Sequence, residues 1–371
     1  SSSGMKILIT GASGFIGKNL QQKLVEREHE VICFTRNSKI DSLKKYIKDI
    51  DFIFHLAGEN RPEDESQFFE NNSKFTKNLC DFLKLEEKEV PIIFSSSTQV
   101  LADNAYGKSK LEAETYLKNL HDKKGNPVII YRLPNIFGKW SKPNYNSVVA
   151  TFCHNISHNK KIKIDDEDKF ISLFYIDDLL ELFINDMNSS FEGYLKKEIP
   201  NTYKVTLGEL AYLISEFSQY DNLFAIGEVG DGFKRALYST FLSFLDKKDF
   251  SYKLDVNKDK RGIFVEVLKT KNSGQFSFLT AKPGIVRGQH YHHSKNEKFI
   301  VCKGEAEFSF KNLLNDDSFQ IKTSGDTPEV VQTIPGWIHN IKNIGNDDLI
   351  VLLWANEIFD NNNPDTFFAE A

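Results

Sequence analysis

The chain has 371 residues, enough for two or three domains, and its 40% hydrophobic and 27% charged residues are ordinary for a globular protein. A net charge of −5 gives no electrostatic reason to expect nucleic acid or an anionic membrane as a partner. The four cysteines form no CxxC pair, and no apolar run approaches the roughly 18 residues of a membrane span. These features predict a cytoplasmic protein that does not insert into membranes or bind nucleic acid. Residues 1–4, before Met5, resemble a cloning remnant.

The first part of the chain alternates short apolar runs with amphipathic segments of helical length. Apolar runs occur at 6–10, 31–34, 52–56, 91–96 and 128–131, and helical patterns lie between them at 17–27, 66–85 and 108–121. Such alternation is typical of a parallel sheet covered on both faces by helices. We therefore predict an α/β, doubly wound, Rossmann-type domain over residues 5–246. Helices and loops from 170 onward would form a lobe that caps the substrate.

A glycine-rich turn, Thr10-Gly-Ala-Ser-Gly-Phe-Ile-Gly17, joins the first strand to a helix. The first glycine permits a tight turn, the second lets backbone approach a pyrophosphate, and the third allows close packing of helix on strand. Phosphates bind favourably at the helix N-terminus that follows. The predicted cofactor contacts here are Gly11, Ser13, Gly14, Phe15, Ile16 and Gly17.

The ends of the next two strands complete the predicted cofactor site. NAD-binding domains place an acidic residue at the end of the second strand, but this chain has Thr35-Arg36-Asn37 there. Arg36 can instead bind a 2′-phosphate, which favours NADPH over NADH; a solvated surface arginine is the alternative. Leu56 and Ala57, after the third strand, are the remaining predicted contacts.

A serine-rich strand end is followed nine residues later by a Tyr-x-x-x-Lys pattern. On a helix, Tyr106 and Lys110 lie one turn apart on the same face. An ammonium group beside a phenol lowers the phenol pKa, so that the phenol can exchange a proton near neutral pH. A serine at the strand end can hydrogen-bond a substrate oxygen, and the adjacent Ser95, Ser96 and Ser97 leave its register open.

Beyond residue 246 the pattern changes to short β-rich segments separated by turns, which predicts a small all-β sandwich or barrel over residues 247–371. One segment carries His290, His292 and Glu297, and His339 follows on a later one. Side chains alternate along a strand, so the first two imidazoles share a face and His293 points away. Three imidazoles and a carboxylate suit zinc or iron.

Residues 5–180 resemble the extended short-chain dehydrogenase/reductases. The resemblance rests on the glycine turn, on the Ser-rich strand with Tyr-x-x-x-Lys, and on DFIFHLAG (51–58), RLPNIFG (132–138) and FYIDDL (174–179). It implies that Tyr106 is the proton donor, that Lys110 also contacts the cofactor ribose, and that Ser97 binds the carbonyl. The serine-to-tyrosine interval is shorter than in most sugar-nucleotide epimerases and dehydratases, which favours a simple reductase.

The histidine segments resemble the paired motifs of the cupin superfamily, except that Ile334 stands where a proline is expected and Pro335 follows it. The sequence Arg287-Gly-Gln-His290 also resembles dTDP-4-keto-sugar 3,5-epimerases. In that chemistry a divalent cation stabilises the enolate formed when a proton next to a ketone is removed. A cupin barrel with a bound divalent metal, zinc in our prediction, follows from this resemblance.

The fusion of the two domains resembles the CapF-type family of bacterial capsular-polysaccharide enzymes, with matching motifs NAYGKSKLE (104–112), VTLGE (205–209) and LYSTFLSFL (237–245). The family implies a homodimer acting on a UDP-linked 4-keto-6-deoxy-N-acetylhexosamine. The cupin epimerises C3, and the reductase then reduces C4 with NADPH to UDP-2-acetamido-2,6-dideoxy-L-talose, a precursor of UDP-N-acetyl-L-fucosamine. The predicted substrate contacts are Asn135, Asn144, Tyr145 and Asn146, with loop stabilisation as the alternative for the asparagines.

Two other hypotheses remain open at the level of the sequence. In one, the reductase is the only enzyme and the cupin is a metal-stabilised sugar-binding or dimerisation module. In the other, the cupin is an iron oxygenase, because the same ligands suit Fe(II). The fold alone does not decide among these, since cupins host many activities.

Overall fold

The computed structural model describes residues 4–58, 69–145 and 147–371. It divides into two compact units. The first runs to Ser215 and includes Gly230–Leu245, and the second combines Glu216–Val229 with Asp246–Ala371. The main division thus lies beside the predicted boundary at residue 246. The short segment 216–229 belongs to the second unit because its strand pairs there.

The first unit is built on a sheet of six parallel strands with the order β2-β1-β3-β4-β5-β8. A small sheet with the order β6-β7-β9 lies apart from it. The fold class predicted for this region is confirmed, although 170–246 holds strands as well as the predicted helices. The strands are β1 (Lys6–Thr10), β2 (Glu30–Phe34), β3 (Phe52–His55), β4 (Ile92–Ser97), β5 (Val128–Leu133), β6 (Asn135–Phe137), β7 (Phe170–Tyr175), β8 (Tyr194–Glu198) and β9 (Tyr203–Thr206).

Helices connect these strands, and local sequence sets where they begin and end. The longest begins after Asn104, whose side chain accepts a hydrogen bond from the Gly107 amide, and ends at Gly125, which has φ +94°. A π-helical segment, Phe69–Lys74, precedes the third helix. The α-helices are α1 (Phe15–Glu26), α2 (Ile40–Tyr46), α3 (Phe75–Lys84), α4 (Ala105–Lys124), α5 (Val148–Ser157), α6 (Ile176–Asn188), α7 (Leu207–Leu223) and α8 (Gly232–Leu242).

The central strands bury both of their faces. On β1, Ile7 and Ile9 pack into one apolar cluster, whereas Leu8 packs into another on the opposite side of the sheet. This explains why the strands read as continuous apolar runs rather than as alternating patterns. Among the described helices, none has the length and apolar character needed to cross a bilayer.

The second unit consists of two sheets. One has the order β10-β12-β13-β20-β15-β18, with β11 paired to β12, and the other has the order β17-β16-β19-β14-β21. The predicted all-β character of this region is confirmed. Its strands are β10 (Ala225–Ile226), β11 (Asn257–Asp259), β12 (Gly262–Thr270), β13 (Gln275–Ala281), β14 (Val286–Tyr291), β15 (Glu297–Lys303), β16 (Glu305–Asn312), β17 (Ser318–Ser324), β18 (Val330–Thr333), β19 (Trp337–Asn343), β20 (Leu349–Ala355) and β21 (Phe367–Phe368).

The inner faces of these two sheets form an apolar core around a cavity of about 220 Å³. Strands β17 and β19 do not stand out in the sequence. In β19 the reason is visible, because it buries His339, Asn340 and Asn343 along with its apolar residues. Polar residues on a strand buried on both faces hide the period that identifies strands.

Candidate active site and metal centre

The glycine turn after β1 has the geometry that its sequence predicts. Gly11 has φ +67°, and a Cβ there would lie 2.7 Å from the backbone of both Leu56 and Ala57. A Cβ at Gly17 would lie 2.3 Å from the Gly11 carbonyl oxygen, so α1 packs against the turn too closely for any side chain. Gly14 is the N-cap residue of α1 and brings no side chain to the helix N-terminus. The first turn of α1 thus offers backbone amides to an anion.

This turn lies where open α/β sheets bind their ligands. From β1 the chain first moves outward to β2 on one side and then crosses to β3 on the other side, so the strand order reverses at β1. Ligands of such sheets usually bind in the crevice beyond the carboxyl ends of the two strands at this point, here β1 and β3. The Leu56 and Ala57 amides donate to Thr10 Oγ1 over 3.0 and 3.1 Å. The loop after β3 is therefore fixed against the glycine turn.

A buried histidine that the sequence analysis did not single out supports this loop. The Nδ1 and Nε2 atoms of His55 lie 2.7 Å from Thr10 Oγ1 and 2.8 Å from Thr76 Oγ1. The Thr76 hydroxyl donates to the Asn72 carbonyl, so it accepts from Nε2–H, and Nδ1 in turn accepts from Thr10. His55 is fully buried, and burial lowers its pKa to about 3, followed by a smaller effect of Lys110. It is therefore a neutral structural residue.

Arg36 lies in an exposed turn directly after β2, the strand beside β1. The turn is closed locally, because the Thr35 amide donates to Ser38 Oγ over 3.1 Å and the Ser38 amide donates back to the Thr35 carbonyl. No carboxylate occurs between the end of β2 and Ser38. The position thus offers a guanidinium group where NAD-binding domains have an acid.

The structure separates the three adjacent serines at the end of β4. Ser96 Oγ donates to Glu114 over 2.6 Å, and Ser95 presents its carbonyl oxygen to Lys110. Ser97 is hydrogen-bonded to the side chain of Tyr106. The predicted serine, whose register the sequence left open by one residue, thus contacts the predicted proton donor. Ser97 Oγ also accepts from the Gln99 amide over 3.0 Å, which fixes the side chain at the start of a 3₁₀ turn.

Lys110 and Tyr106 lie on the first turns of α4, as the spacing predicts, but their electrostatics differ from expectation. Lys110 Nζ donates to the Ser95 carbonyl over 3.0 Å, and burial lowers its pKa to about 8 against the opposing effect of Glu114. Burial, opposed by the hydrogen bond with Ser97, raises the pKa of Tyr106 to about 12. Desolvation therefore dominates the pKa of the phenol, which keeps its proton at neutral pH.

A second buried polar group beside this site was also missed by the sequence analysis. Glu114, one helical turn beyond Lys110, is 2% exposed and accepts from Ser96 and from Arg132 Nη2 at 2.8 Å. The Glu114–Arg132 pair ties α4 to β4 and β5. The only signal in the sequence was that Tyr106, Lys110 and Glu114 recur at intervals of four residues, which places them on one helix face.

The predicted substrate residues are only partly brought together. Tyr145 lies close enough to Tyr106 to raise its pKa electrostatically. Asn135 is exposed on β6, and Asn144 is exposed in a left-handed turn with φ +56°, which asparagine tolerates well. Asn146 lies outside the described residues. Tyr145 is thus the predicted substrate residue that the structure sets next to the candidate proton donor.

In the second unit the structure brings the four predicted metal ligands together. His290, His292, Glu297 and His339 place one donor atom each within 4.8 Å of one another. The histidines come from β14, the residue after it, and β19, whereas the glutamate begins β15 in the other sheet. His293 is exposed and packs on Tyr291 and Phe367, as the alternation of side chains predicts.

The hydrogen bonds of this cluster leave several acceptor atoms facing one another. His292 Nδ1 faces the Asp365 carbonyl, which can only accept, so Nδ1 carries the proton and Nε2 is a lone pair. That lone pair lies 2.9 Å from Glu297 Oε1, and His339 Nε2 lies 3.4 Å from the same oxygen. Both ring nitrogens of His339 are buried without a partner among the described residues. Several acceptors facing one another fit a shared metal ion.

Ionisation of the cluster agrees with this interpretation. Burial opposes the charge on Glu297, but the adjacent rings of His292 and His339 outweigh burial and hold the pKa of the carboxyl far below its usual value. Burial, with an added effect of His339, lowers the pKa of His290 to about 4. At neutral pH the site therefore presents a carboxylate at Glu297 and a neutral imidazole at His290, which are the forms that bind metal.

The displaced proline does not disturb the site. The Gly336 amide donates to the His292 carbonyl over 3.0 Å, which ties the Ile334-Pro335-Gly336 turn directly to a ligand. On β18, Thr333 Oγ1 accepts from the Glu297 amide over 3.0 Å. His339 therefore reaches the cluster although Pro335 stands one position late.

The cavity between the sheets opens onto this cluster. Its polar lining consists of His290, Glu297 and His339 together with Arg261, Arg287 and Asn340, and the rest is mostly apolar. Three nearby residues do not line the cavity. Lys298 is exposed and donates to Gln332, Trp337 packs on Phe319, and the Trp354 indole donates to the Ser273 carbonyl.

A parallel sheet with a glycine turn at its switch point and Ser97–Tyr106–Lys110 beside it defines a nucleotide-dependent dehydrogenase or epimerase class. The sequence profile described as "NAD dependent epimerase/dehydratase family" matches residues 7–193, and the profile "Polysaccharide biosynthesis C-terminal domain" matches residues 257–367. The chain belongs to the NAD dependent epimerase/dehydratase family.

Similarity over the full length narrows the class. A UDP-2-acetamido-2,6-beta-L-arabino-hexul-4-ose reductase of Pseudomonas aeruginosa is 49% identical over 364 residues, 98% of each chain. The crystal structure of the capsular polysaccharide assembling protein CapF from Staphylococcus aureus is 42% identical, with a TM-score of 0.92 over 99% of this chain and 100% of that one. A dTDP-4-dehydro-6-deoxyglucose reductase of Escherichia coli is 26% identical over 51% of this chain and 73% of its own. The protein is thus of the CapF type, as its sequence motifs predict.

Proposed function

We propose that the first unit reduces the C4 ketone of a UDP-linked 4-keto-6-deoxy-N-acetylhexosamine with NADPH. The observation that carries this proposal is the hydrogen bond between Ser97 and Tyr106 at the carboxyl end of β4. The similarity to a 4-ulose reductase over 98% of both chains supports the substrate class.

The residues of this site have complementary roles in the reduction. NADPH supplies the hydride that adds to C4. Ser97 and Tyr106 hydrogen-bond the ketone oxygen, and Tyr106 gives its proton to that oxygen as the C=O bond becomes an alcohol. A pKa of about 12 keeps the phenol protonated until negative charge develops on the substrate oxygen. The buried Lys110 ammonium then stabilises the phenolate that remains.

The residues around the glycine turn support NADPH as the cofactor. The amides of the first turn of α1 would hold the pyrophosphate, and Arg36 would bind the 2′-phosphate that distinguishes NADPH from NADH. Gly14, the N-cap residue of α1, brings no side chain to this point.

For the second unit we propose C3 epimerisation of the same keto-sugar before its reduction, at a zinc ion held by His290, His292, Glu297 and His339. A bound divalent metal would act as a Lewis acid for the enolate. The two unpartnered nitrogens of His339 and the cavity that opens onto the cluster support this proposal. The product of both steps would be UDP-2-acetamido-2,6-dideoxy-L-talose, en route to UDP-N-acetyl-L-fucosamine, in a cytoplasmic homodimer.

Two assays test the halves separately. Oxidation of NADPH in the presence of the UDP-linked 4-ulose measures the reductase. Incubation in D₂O without NADPH, followed by NMR of the sugar, measures exchange at C3. Absence of exchange from a protein that contains its metal would contradict the epimerase proposal while leaving the reductase intact.

One observation favours a second function for the cupin, a metal-stabilised binding or dimerisation module. Apart from the proposed ligands, the residues that line the cavity include no carboxylate, lysine, tyrosine or histidine to serve as a base. If this alternative holds, His290→Ala abolishes metal binding but leaves reduction of an already epimerised ketone unchanged. Neither the wild-type protein nor the variant then exchanges deuterium into the sugar at C3. An iron oxygenase would instead consume oxygen when substrate is added.

A further inference from the structure

The C-terminal segment of the chain, Asp365–Ala371, reaches the metal centre from about seventy residues away in sequence. Its strand β21 pairs with β14, with Phe368 opposite His290 and Phe367 opposite Tyr291. The Ala369 amide donates to the Gln289 carbonyl over 2.9 Å. The segment therefore lies along the strand that carries the first metal ligand.

Asp365 holds the loop that separates two of the ligands. Residues 293–295 connect His292 to Glu297 through Asn296, and three successive amides of this loop donate to one carboxylate. His293 N lies 2.9 Å from Asp365 Oδ1, and Ser294 N and Lys295 N lie 2.7 and 2.8 Å from Oδ2. Ser294 Oγ adds a fourth bond of 3.1 Å to Oδ2.

The main chain of the same residue acts on the ligand itself. The Asp365 carbonyl accepts from His292 Nδ1, which fixes the ring orientation and directs the Nε2 lone pair toward Glu297. One residue thus sets both the path of the chain between two ligands and the tautomer of one of them.

We propose that Asp365 is a positioning residue of the metal centre and that the C-terminal segment Asp365–Ala371 locks the metal in place. This inference rests on the proposed metal binding by the four ligands. Groups that orient metal ligands typically contribute about 10–100-fold to metal affinity or activity. Loss of the Asp365 carboxylate should therefore speed metal release by a comparable factor without removing any ligand.

The test compares Asp365→Ala and Asp365→Asn with wild type, in the full-length, zinc-loaded protein. Alanine removes all four bonds and asparagine retains one acceptor oxygen, so zinc transfer to a chromophoric chelator should be about 10–100-fold faster for alanine and intermediate for asparagine. Asp360→Asn is the matched control in the same segment, because Asp360 accepts from the Asn362 amide and has no bond to the ligand loop among the described contacts. Equal release rates for wild type and Asp365→Ala would overturn the inference.

A second readout separates this inference from the proposal on which it rests. In metal-free protein, amide hydrogen exchange at 293–295 should be faster in Asp365→Ala than in wild type, while exchange in β15 and NADPH oxidation by the first unit stay unchanged. Unchanged exchange at 293–295 overturns the role of Asp365. Wild-type protein that takes up no zinc or other divalent metal contradicts the metal proposal instead, whatever the exchange shows.

Discussion

His55 in the first unit and His339 in the second are both buried, with 0% and 4% of their surfaces exposed. His55 has a hydroxyl partner at each ring nitrogen, whereas neither nitrogen of His339 has a hydrogen-bond partner among the described residues. The two histidines are therefore alike in burial and differ in their hydrogen-bond partners. A satisfied histidine supports a loop, and an unsatisfied one is available to a metal.

The two sites also differ in how the chain assembles them. Ser97, Tyr106 and Lys110 lie on one strand and the helix that follows it, so local structure largely sets their geometry. The proposed metal ligands come from both sheets of the second unit, and a bound ion would cross-link those sheets. Substitution of the polar groups of the first site should therefore leave the first unit folded. Removal of the metal from the second site should lower the stability of the second unit.

The largest expected effect concerns the proton donor. Tyr106→Phe should lower the rate of NADPH oxidation by about 10²–10⁴-fold, because the developing alkoxide loses its acid. Deuterium exchange at C3 should stay at the wild-type rate, since it takes place in the other unit. The exposed Tyr212 provides a control, and Tyr212→Phe should leave both activities unchanged. A Tyr106→Phe enzyme with near wild-type reduction would remove this residue from the mechanism.

Next in size is the loss of a metal ligand. His339→Ala should leave substoichiometric metal by elemental analysis and no measurable exchange at C3, and it should lower the thermal stability of the second unit. Reduction of an already epimerised ketone should continue. His293→Ala is the matched control, because His293 is exposed and points away from the cluster. Full metal content in His339→Ala would show that the unpartnered nitrogens have another purpose.

Cofactor choice should change more modestly. Arg36→Ala should reduce the preference for NADPH over NADH, measured as the ratio of kcat/KM values, by about 10–100-fold, since a charge-assisted contact to the 2′-phosphate is lost. Arg27→Ala, at an exposed pair with Glu181, should keep the wild-type ratio. An unchanged ratio in Arg36→Ala would assign Arg36 to the solvated surface.

The last prediction concerns the dependence of stability on pH through His55 in the first unit. The folded-state pKa of His55 is lowered to about 3, so its contribution is fully present above the unfolded pKa of about 6.5 and is lost as pH falls toward 3. Over that window it should make unfolding easier by up to ~1.4 kcal/mol per pH unit. In His55→Gln, denaturant titrations should show lower stability at pH 7 and a shallower decline on acidification. A wild-type slope in that variant would mean that other groups control the acid response.

The sequence alone determined the features that depend on local order. The strand–glycine turn–helix, the helical face shared by Tyr106 and Lys110, and the boundary near residue 246 follow from periodicity and from spacings within a few residues. The identities of the four metal ligands also came from spacing, together with the resemblance to cupins. Such features can be predicted from the sequence because they arise from residues that are close together in the chain.

Only the tertiary structure decided the features that depend on which groups lie next to each other. It placed Ser97 in a hydrogen bond with Tyr106 and Ser96 in one with Glu114. It showed that desolvation dominates the pKa of Tyr106. It also joined Asp365 to the loop between the proposed ligands and left both ring nitrogens of His339 without a hydrogen-bond partner among the described residues. Hydrogen bonds between distant segments and the cost of burial exist only once the chain has folded.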